Sequence, residues 1–189
     1  MQGTSPDPSA GKPEWRRRLR RTLAGITGHE TRSNAICKQL AGILETHEAC
    51  CIAAFCALPD EPSLSELIFS QMAHRWGLPR VTGDELVFHH IDDPDQLRPG
   101  AFGIAEPSPE RPVIPIDEID VFLCPGLGFD EQGIRLGRGK GYYDRALSRA
   151  KGGALKIGVS FPEQVVARLP SDAHDIPMHL VVSGRNHRG

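Results

Sequence analysis

No apolar run in this sequence is long enough to span a bilayer, so a helical membrane protein is excluded. The N-terminal stretch "MQGTSPDPSAG" is polar and has none of the apolar core of a signal peptide. Residues 1–11 are expected to form a disordered tail, and 185–189 a short C-terminal one. A basic excess is missing too: 22 Lys and Arg stand against 24 Asp and Glu, a net charge of −2. That is not the electrostatic footprint of a nucleic-acid-binding domain. The cysteines are Cys37, Cys50, Cys51, Cys56 and Cys124, an odd number without a CxxC pair. They read as small core residues in a reducing compartment rather than as disulfides or zinc ligands, which makes the cytoplasm the expected location. His89, His90, His174 and His179 show no ligand spacing and read as solvent-facing or hydrogen-bonded residues.

What is present is ordinary globular material. The chain has 189 residues, 39% of them hydrophobic and 24% charged, enough for one domain with a substantial core over 12–184. Pro13 suits the first turn of a helix through "EWRRRLRRTLAGI". Thr27 and Glu30 have the spacing of a capping box opening a second helix to about Leu44, and Ser63 and Glu66 have it ahead of a third. "CCIAAFCAL" (50–58) and "IDVFLC" (119–124) are short continuous apolar runs, as expected of strands buried on both faces. Further strands are expected near Arg80–Val81 and over 85–91, 155–161 and 179–183, with a helix over 142–150. Residues 92–117 read as loops with short elements. Alternating strands and helices predict an α/β protein with a mostly parallel sheet, whose ligands bind at the carboxyl ends of the strands.

One stretch stands where such a site belongs. "PGLGFDEQGIRLGRGKGYYDRAL" (125–147) leaves a buried strand and runs into a helix. It matches neither Walker A, since Ile134 and Gly141 occupy required Gly and Ser/Thr positions, nor the dinucleotide fingerprint, whose third glycine is Tyr142. Its chemistry still points to an anion. Gly137, Gly139 and Gly141 free the backbone to turn N–H groups toward a ligand. Arg135 and Arg138 offer planar forks, and Lys140 a point charge. Tyr142 and Tyr143 can stack on a ring or donate hydrogen bonds. Asp144 could hold Mg²⁺ beside a phosphate.

This stretch closely resembles the signature of the 5-formyltetrahydrofolate cyclo-ligase (methenyltetrahydrofolate synthetase) family. The resemblance extends from Lys12 to about Val182 through "KPEWRRRLRRTLAGIT", "FCALPDEPSLSEL", "FGIAEP" (102–107) and "LPSDAHDIPMHLVV". It implies a three-layer α/β sandwich, Rossmann-like without a dinucleotide fingerprint. It also implies ATP- and Mg²⁺-dependent cyclisation of 5-formyltetrahydrofolate to 5,10-methenyltetrahydrofolate, with release of ADP and phosphate. In that reaction the formyl oxygen attacks the γ-phosphate. N10 of the folate then attacks the iminium phosphate, and phosphate leaves.

Carried over residue by residue, the resemblance implies ATP contacts for Lys12, Arg16 and the stretch Arg135, Leu136, Gly137, Arg138, Gly139, Lys140, Gly141, Tyr142 and Tyr143. Arg138 to Tyr142 also face the folate, with Arg138 and Lys140 as the catalytic cations. Cys56 and Glu61 contact folate, Glu61 as an acceptor for pterin N–H groups. Cys56 is an equally good core residue or backbone contact, and Phe102 is placed in the pterin pocket or in the core. Asp144 and Asp175 hold Mg²⁺. One position departs from the pattern: His179 stands where the family usually carries an acidic residue, which would alter metal affinity if that carboxylate tunes it. Small-molecule substrates, no nucleic acid, no membrane and a monomer are expected. Two rivals are a non-catalytic relative that binds folate or nucleotide, and an RNA-binding protein using the Arg-rich first helix. The acidic net charge and the missing RNA motif weigh against the second.

Overall fold

The chain begins its regular structure with an amphipathic helix. In the computed structural model, which describes residues 10–71, 73–100 and 103–185, helix α1 (Lys12–Ala24) carries Pro13 in its first turn and buries Trp15, Leu19 and Leu23. These lie four residues apart, on one stripe of the helix. Burying each such side chain contributes about 1.5–3 kcal/mol. Helix α2 (His29–Thr46) buries Ile36, Leu40 and Leu44 in the same way. The Thr27–Glu30 capping box does not form. The N-cap is Gly28, at φ 70°, and no side chain caps the helix. The left-handed turn at Gly28 takes the position that a capping side chain would need.

Strand β1 (Cys51–Ala53) and helix α3 (Ser65–Ser70) follow. The expected strand over 50–58 is thus only three residues long; Ala54 N–H still donates to Gly77 O at 2.9 Å, and Phe55, Cys56 and Leu58 go on to line the cavity. The Ser63–Glu66 box also fails. Leu64 is the N-cap, and Ser63 is tied by its own N–H to Ser33 Oγ at 3.0 Å. Strand β2 (Arg75–Thr82), longer than expected, turns directly into β3 (Glu85–His90). Short strands β4 (Leu97–Pro99), β5 (Ala105–Pro107) and β6 (Val113–Ile114) occupy the expected loop region. Strand β7 (Val121–Cys124) then feeds the glycine-rich stretch.

That stretch is more ordered than a loop. It contains β8 (Gly128–Asp130) and β9 (Arg135–Leu136), paired antiparallel. Asp130 builds their turn: its buried carboxylate accepts from the N–H groups of Gln132, Ile134 and Leu169 at 2.9–3.0 Å. Helix α4 (Tyr142–Leu147), β10 (Leu155–Val159), β11 (Val165–Val166) and β12 (Leu180–Val182) complete the described chain.

The main sheet has seven strands in the order β12-β10-β7-β1-β2-β3-β6. Pairings from β12 to β2 are parallel; β3 and β6 are added antiparallel. Strand alternation assigns the two faces. Ile52, Val121 and Leu123 pack with the apolar stripes of α1, α2 and α3. Cys51, Ala53, Phe122 and Cys124 pack on the opposite side with Ala146 and Leu147 of α4. Helices therefore cover both faces, giving the expected three layers and mostly parallel sheet. No helix among the described residues is long and apolar enough to cross a membrane.

Candidate active site

Beyond the carboxyl ends of β1 and β7 lies a cavity of about 870 Å³. Its wall includes every residue singled out from sequence that the structure describes: Lys12, Arg16, Cys56, Glu61, the whole of 135–144, and Asp175. Phe102 lies outside the described residues. Positions 163 residues apart in the chain, Lys12 and Asp175, thus share one wall.

The backbone of the loop adopts the geometry that its glycines allow. Gly139 and Gly141 have φ of 106° and 68°, values that favour glycine over any other residue. Gly141 is the N-cap of α4. That helix has six residues, so its dipole contributes little, and anion binding here rests on the side-chain cations and the loop backbone. Arg16 reaches across from α1, its Nε donating to Gly137 O at 3.1 Å.

Three cations of the wall are paired with carboxylates. Lys12 Nζ lies 2.6 Å from Asp175 and 2.7 Å from Asp172. Arg135, whose side chain is 5% exposed, donates to Asp144 Oδ1 at 2.8 Å and stacks over Tyr143 at 5.4 Å. Arg138 grips the acidic turn after β1. It donates to Asp60 at 2.6 Å, and twice to Glu61 Oε1 at 3.1 and 3.2 Å. Burial works against its charge, but the two carboxylates outweigh this and raise its pKa. Lys140 is different. It is exposed, and its side chain makes no hydrogen bond or ion pair among the described residues (its carbonyl accepts from Arg145 Nη1 at 3.0 Å), so its ammonium is open to a ligand.

The carboxylates divide as well. Glu61 is buried, and burial raises its pKa despite the Leu58 N–H at 3.1 Å and the Arg138 guanidinium. Burial opposes ionisation of Asp175 too, yet hydrogen bonds from Lys12 and the Asp172 N–H prevail and lower its pKa. Asp172, His174 and Asp175 hold ligand atoms within 4.8 Å of one another. Sequence reading placed only Asp175 there and read His174 as solvent-facing or hydrogen-bonded; His174 is exposed. The structure brings both Asp172 and His174 into the wall. The carboxylates suit a hard cation such as Mg²⁺; an imidazole does not. Asp144 stands apart from this trio, committed to Arg135.

Sequence reading also passed over Asp60, Glu106 and Arg145. Asp60 had a legible signal as Glu61's neighbour in "PDEP". Glu106, in "FGIAEP", and Arg145, next to Asp144, were within the quoted segments and also line the cavity. Cys56 lies in the wall, its thiol pushed up to about 12 by burial and then by the charge of Glu106. Tyr143 Oη is buried in the cavity wall without a hydrogen-bond partner among the described residues, and burial keeps the phenol protonated.

A family model described as the 5-formyltetrahydrofolate cyclo-ligase family matches residues 8–184. The chain belongs to this family. A 5-formyltetrahydrofolate cyclo-ligase of Haemophilus influenzae is 27% identical over 175 residues, covering 89% of this chain and 93% of its own. One from Mycolicibacterium smegmatis is 40% identical over 91 residues, 48% of this chain and 47% of its own. Among solved structures, the NMR structure of Aquifex aeolicus 5,10-methenyltetrahydrofolate synthetase superposes with a TM-score of 0.81 at 36% identity. It covers 93% of this chain and 90% of that one. A 5,10-methenyltetrahydrofolate synthetase from Mycoplasma pneumoniae gives 0.77 at 23% identity, over 93% and 100%, and shows the shared fold.

As a cyclo-ligase family member, the chain departs from expectation at His179, and the structure explains the residue. His179 opens β12 from outside the cavity wall. Its N–H donates to Lys156 O at 2.8 Å, and its Nδ1 accepts from Lys156 N at 2.9 Å. The imidazole closes the ladder between β10 and β12. Burial and the Lys156 charge lower its pKa and favour the neutral acceptor form.

Proposed function

We propose that this cyclo-ligase family member converts 5-formyltetrahydrofolate and ATP to 5,10-methenyltetrahydrofolate, ADP and phosphate. The observation that carries the reading is one cavity whose wall combines an open cationic loop with a buried, carboxylate-bearing apolar face. At about 870 Å³ it is at the upper end of small-molecule sites, which run about 300–1,000 Å³. Lys12, Arg16 and Lys140 offset the triphosphate charge while the formyl oxygen, a weak nucleophile, approaches the γ-phosphorus. Loop N–H groups freed by Gly139 and Gly141 add fixed donors. Arg138, held by Asp60 and Glu61, has a fixed fork at the junction of the two substrates. N10 then attacks the activated formyl carbon, and phosphate departs from it.

The carboxylates of Asp172 and Asp175 lie together and suit Mg²⁺; Asp144, the other position the resemblance gives, would have to share or release Arg135 to join them. When bound, the ion would shield phosphate charge. Binding it at Asp175 requires Lys12 to share or release that carboxylate, which frees an ammonium for phosphate. Purified protein given Mg-ATP and 5-formyltetrahydrofolate should develop the absorbance of the methenyl product, and omission of any one component should abolish it. Substrate binding without product would instead establish a non-catalytic relative.

A further inference from the structure

Arg145 of α4 lines the cavity but forms no ion pair among the described residues. Its guanidinium is committed to main-chain oxygens instead. Nη1 donates to Lys140 O at 3.0 Å, Nε donates to Asp84 O at 2.9 Å, and Nη2 donates to that same oxygen. Gly83, at φ 60°, and Asp84 form the two-residue turn between β2 and β3. One planar fork therefore bridges the tip of the β2–β3 hairpin and the glycine loop. Its face is engaged too, lying over the Tyr142 ring at 5.3 Å. Gly141 makes this approach possible: a Cβ there would lie 2.9 Å from Arg145 Nη1.

The bonds fall where the loop lacks any other hold. Gly137 O is held from α1 by Arg16 Nε at 3.1 Å, and the Arg138 side chain by Asp60 and Glu61. The Lys140 ammonium has no such partner among the described residues, so the direction of its side chain depends on its main chain. Arg145 grips that main chain. A lysine in its place would not do the same, since a guanidinium sets several donors in one rigid plane and an ammonium is a single point on a flexible stem. Arg149, just past α4, pairs with Glu85 of β3 at 2.7 Å, but both side chains are more than half exposed. Such a pair contributes little, and it does not reach the loop.

Taking the phosphate role of Lys140 from the function proposed above, we infer that Arg145 is a positioning residue: it clamps the glycine loop to the β2–β3 hairpin and so fixes the aim of the Lys140 ammonium. Arg145 then acts through Lys140 and not by its own charge. The demand on such a clamp is severe, because a misplacement of about 1 Å can cost about a hundredfold in rate.

The test is a double-mutant cycle read by equilibrium binding of Mg-ATP, without folate. Lys140→Ala removes the ammonium but keeps the carbonyl that Arg145 grips. Arg145→Gln should weaken Mg-ATP binding by about threefold to tenfold with Lys140 in place, and by less than about twofold in Lys140→Ala protein. Arg145→Lys keeps the charge and should not restore the affinity; it carries the cycle if Arg145→Gln does not fold. Asp84→Ala leaves Asp84 O in place and should bind Mg-ATP as the wild type does. Undiminished binding in Arg145→Gln, equal losses in the two backgrounds, or wild-type affinity in Arg145→Lys overturns the inference. An Asp84→Ala loss as large as that of Arg145→Gln overturns it too. Wild-type protein that shows the coupling but forms no product overturns the proposed activity alone; wild-type protein that binds no Mg-ATP overturns both.

Discussion

Lys12 Nζ lies 2.8 and 2.6 Å from the two carboxylate oxygens of Asp175, across 163 residues of chain. The pair ties the first turn of α1 to the segment before β12, at the cavity wall. Its pH dependence follows from the two shifts. Burial opposes ionisation of Asp175, but Lys12 and the Asp172 N–H outweigh it, so its folded pKa is lowered. That contribution is present above the ordinary carboxylate value, ~4, and is lost as pH falls through the folded value. For Lys12, burial is outweighed by the bonds to Asp172 and Asp175, so its pKa is raised. That contribution is present below ~10.4 and is lost as pH rises through the folded value. Lys12→Met should therefore cost about 1–2 kcal/mol at neutral pH, with the difference from wild type shrinking below ~pH 4. Urea melts at several pH values measure this; a difference unchanged at pH 3 would remove the pair from the stability of the fold.

Lys140 should be separable from folding. It is exposed and its ammonium is unpaired among the described residues, so Lys140→Ala should leave the melting temperature unchanged. If the ammonium meets phosphate, the ATP KM should rise by about tenfold or more, as for loss of a charge-assisted hydrogen bond. An unchanged KM would remove Lys140 from the ATP site.

Asp144 has two roles to disentangle. It accepts from the buried Arg135 at 2.8 Å, so Asp144→Asn should cost about 1–3 kcal/mol by weakening that partner's only ion pair among the described residues. If it also holds Mg²⁺, half-saturation of activity should move to higher Mg²⁺. A Mg²⁺ titration curve that does not move would assign Asp144 to Arg135 alone.

Glu61 should set an acid limb of activity. Burial raises its pKa above the ordinary glutamate value even beside Arg138. As pH falls toward that raised value, the carboxylate protonates and Arg138 loses an acceptor. The kcat/KM profile should fall on its acid side above ~pH 4.3, and Glu61→Gln should remove the limb while lowering the plateau. A limb that persists in the variant belongs to another group.

Cysteine reactivity provides a check free of substrate. The Cys56 thiol, pushed up to about 12, has almost no thiolate at neutral pH. Iodoacetamide between about pH 7 and 9 should label exposed Cys50 and spare Cys56, as read by peptide mass spectrometry. Rapid labelling of Cys56 would contradict its burial.

Much of the site was legible because its residues cluster in the chain. Residues 135–144 carry glycines, cations, phenols and a carboxylate side by side, and the structure keeps them side by side in one wall. Strand identities were legible for the same reason: "IDVFLC" is apolar on both faces because helices cover both. The helix caps were not. Thr27 and Ser63 have the right spacing, but Gly28 and the Ser33 hydrogen bond to Ser63 decided the local backbone instead. Glu106 lies inside "FGIAEP" (102–107), but its burial against β2 and Gly100 and its place in the cavity wall come from the tertiary structure.

The sequence by itself determined the α/β alternation, the anion-binding chemistry of 125–147 and the residues that resemble the cyclo-ligase signature, since propensity, apolar patterning and local motif are properties of neighbouring residues. Tertiary structure alone decided which charges meet. Only folding pairs Lys12 with Asp175, turns Arg138 onto Asp60 and Glu61, leaves Lys140 open, and buries Glu106 in the cavity wall. Partnership between charges depends on distances across the fold, and those exist only after β1, β7, α1 and the C-terminal segment have packed around one cavity.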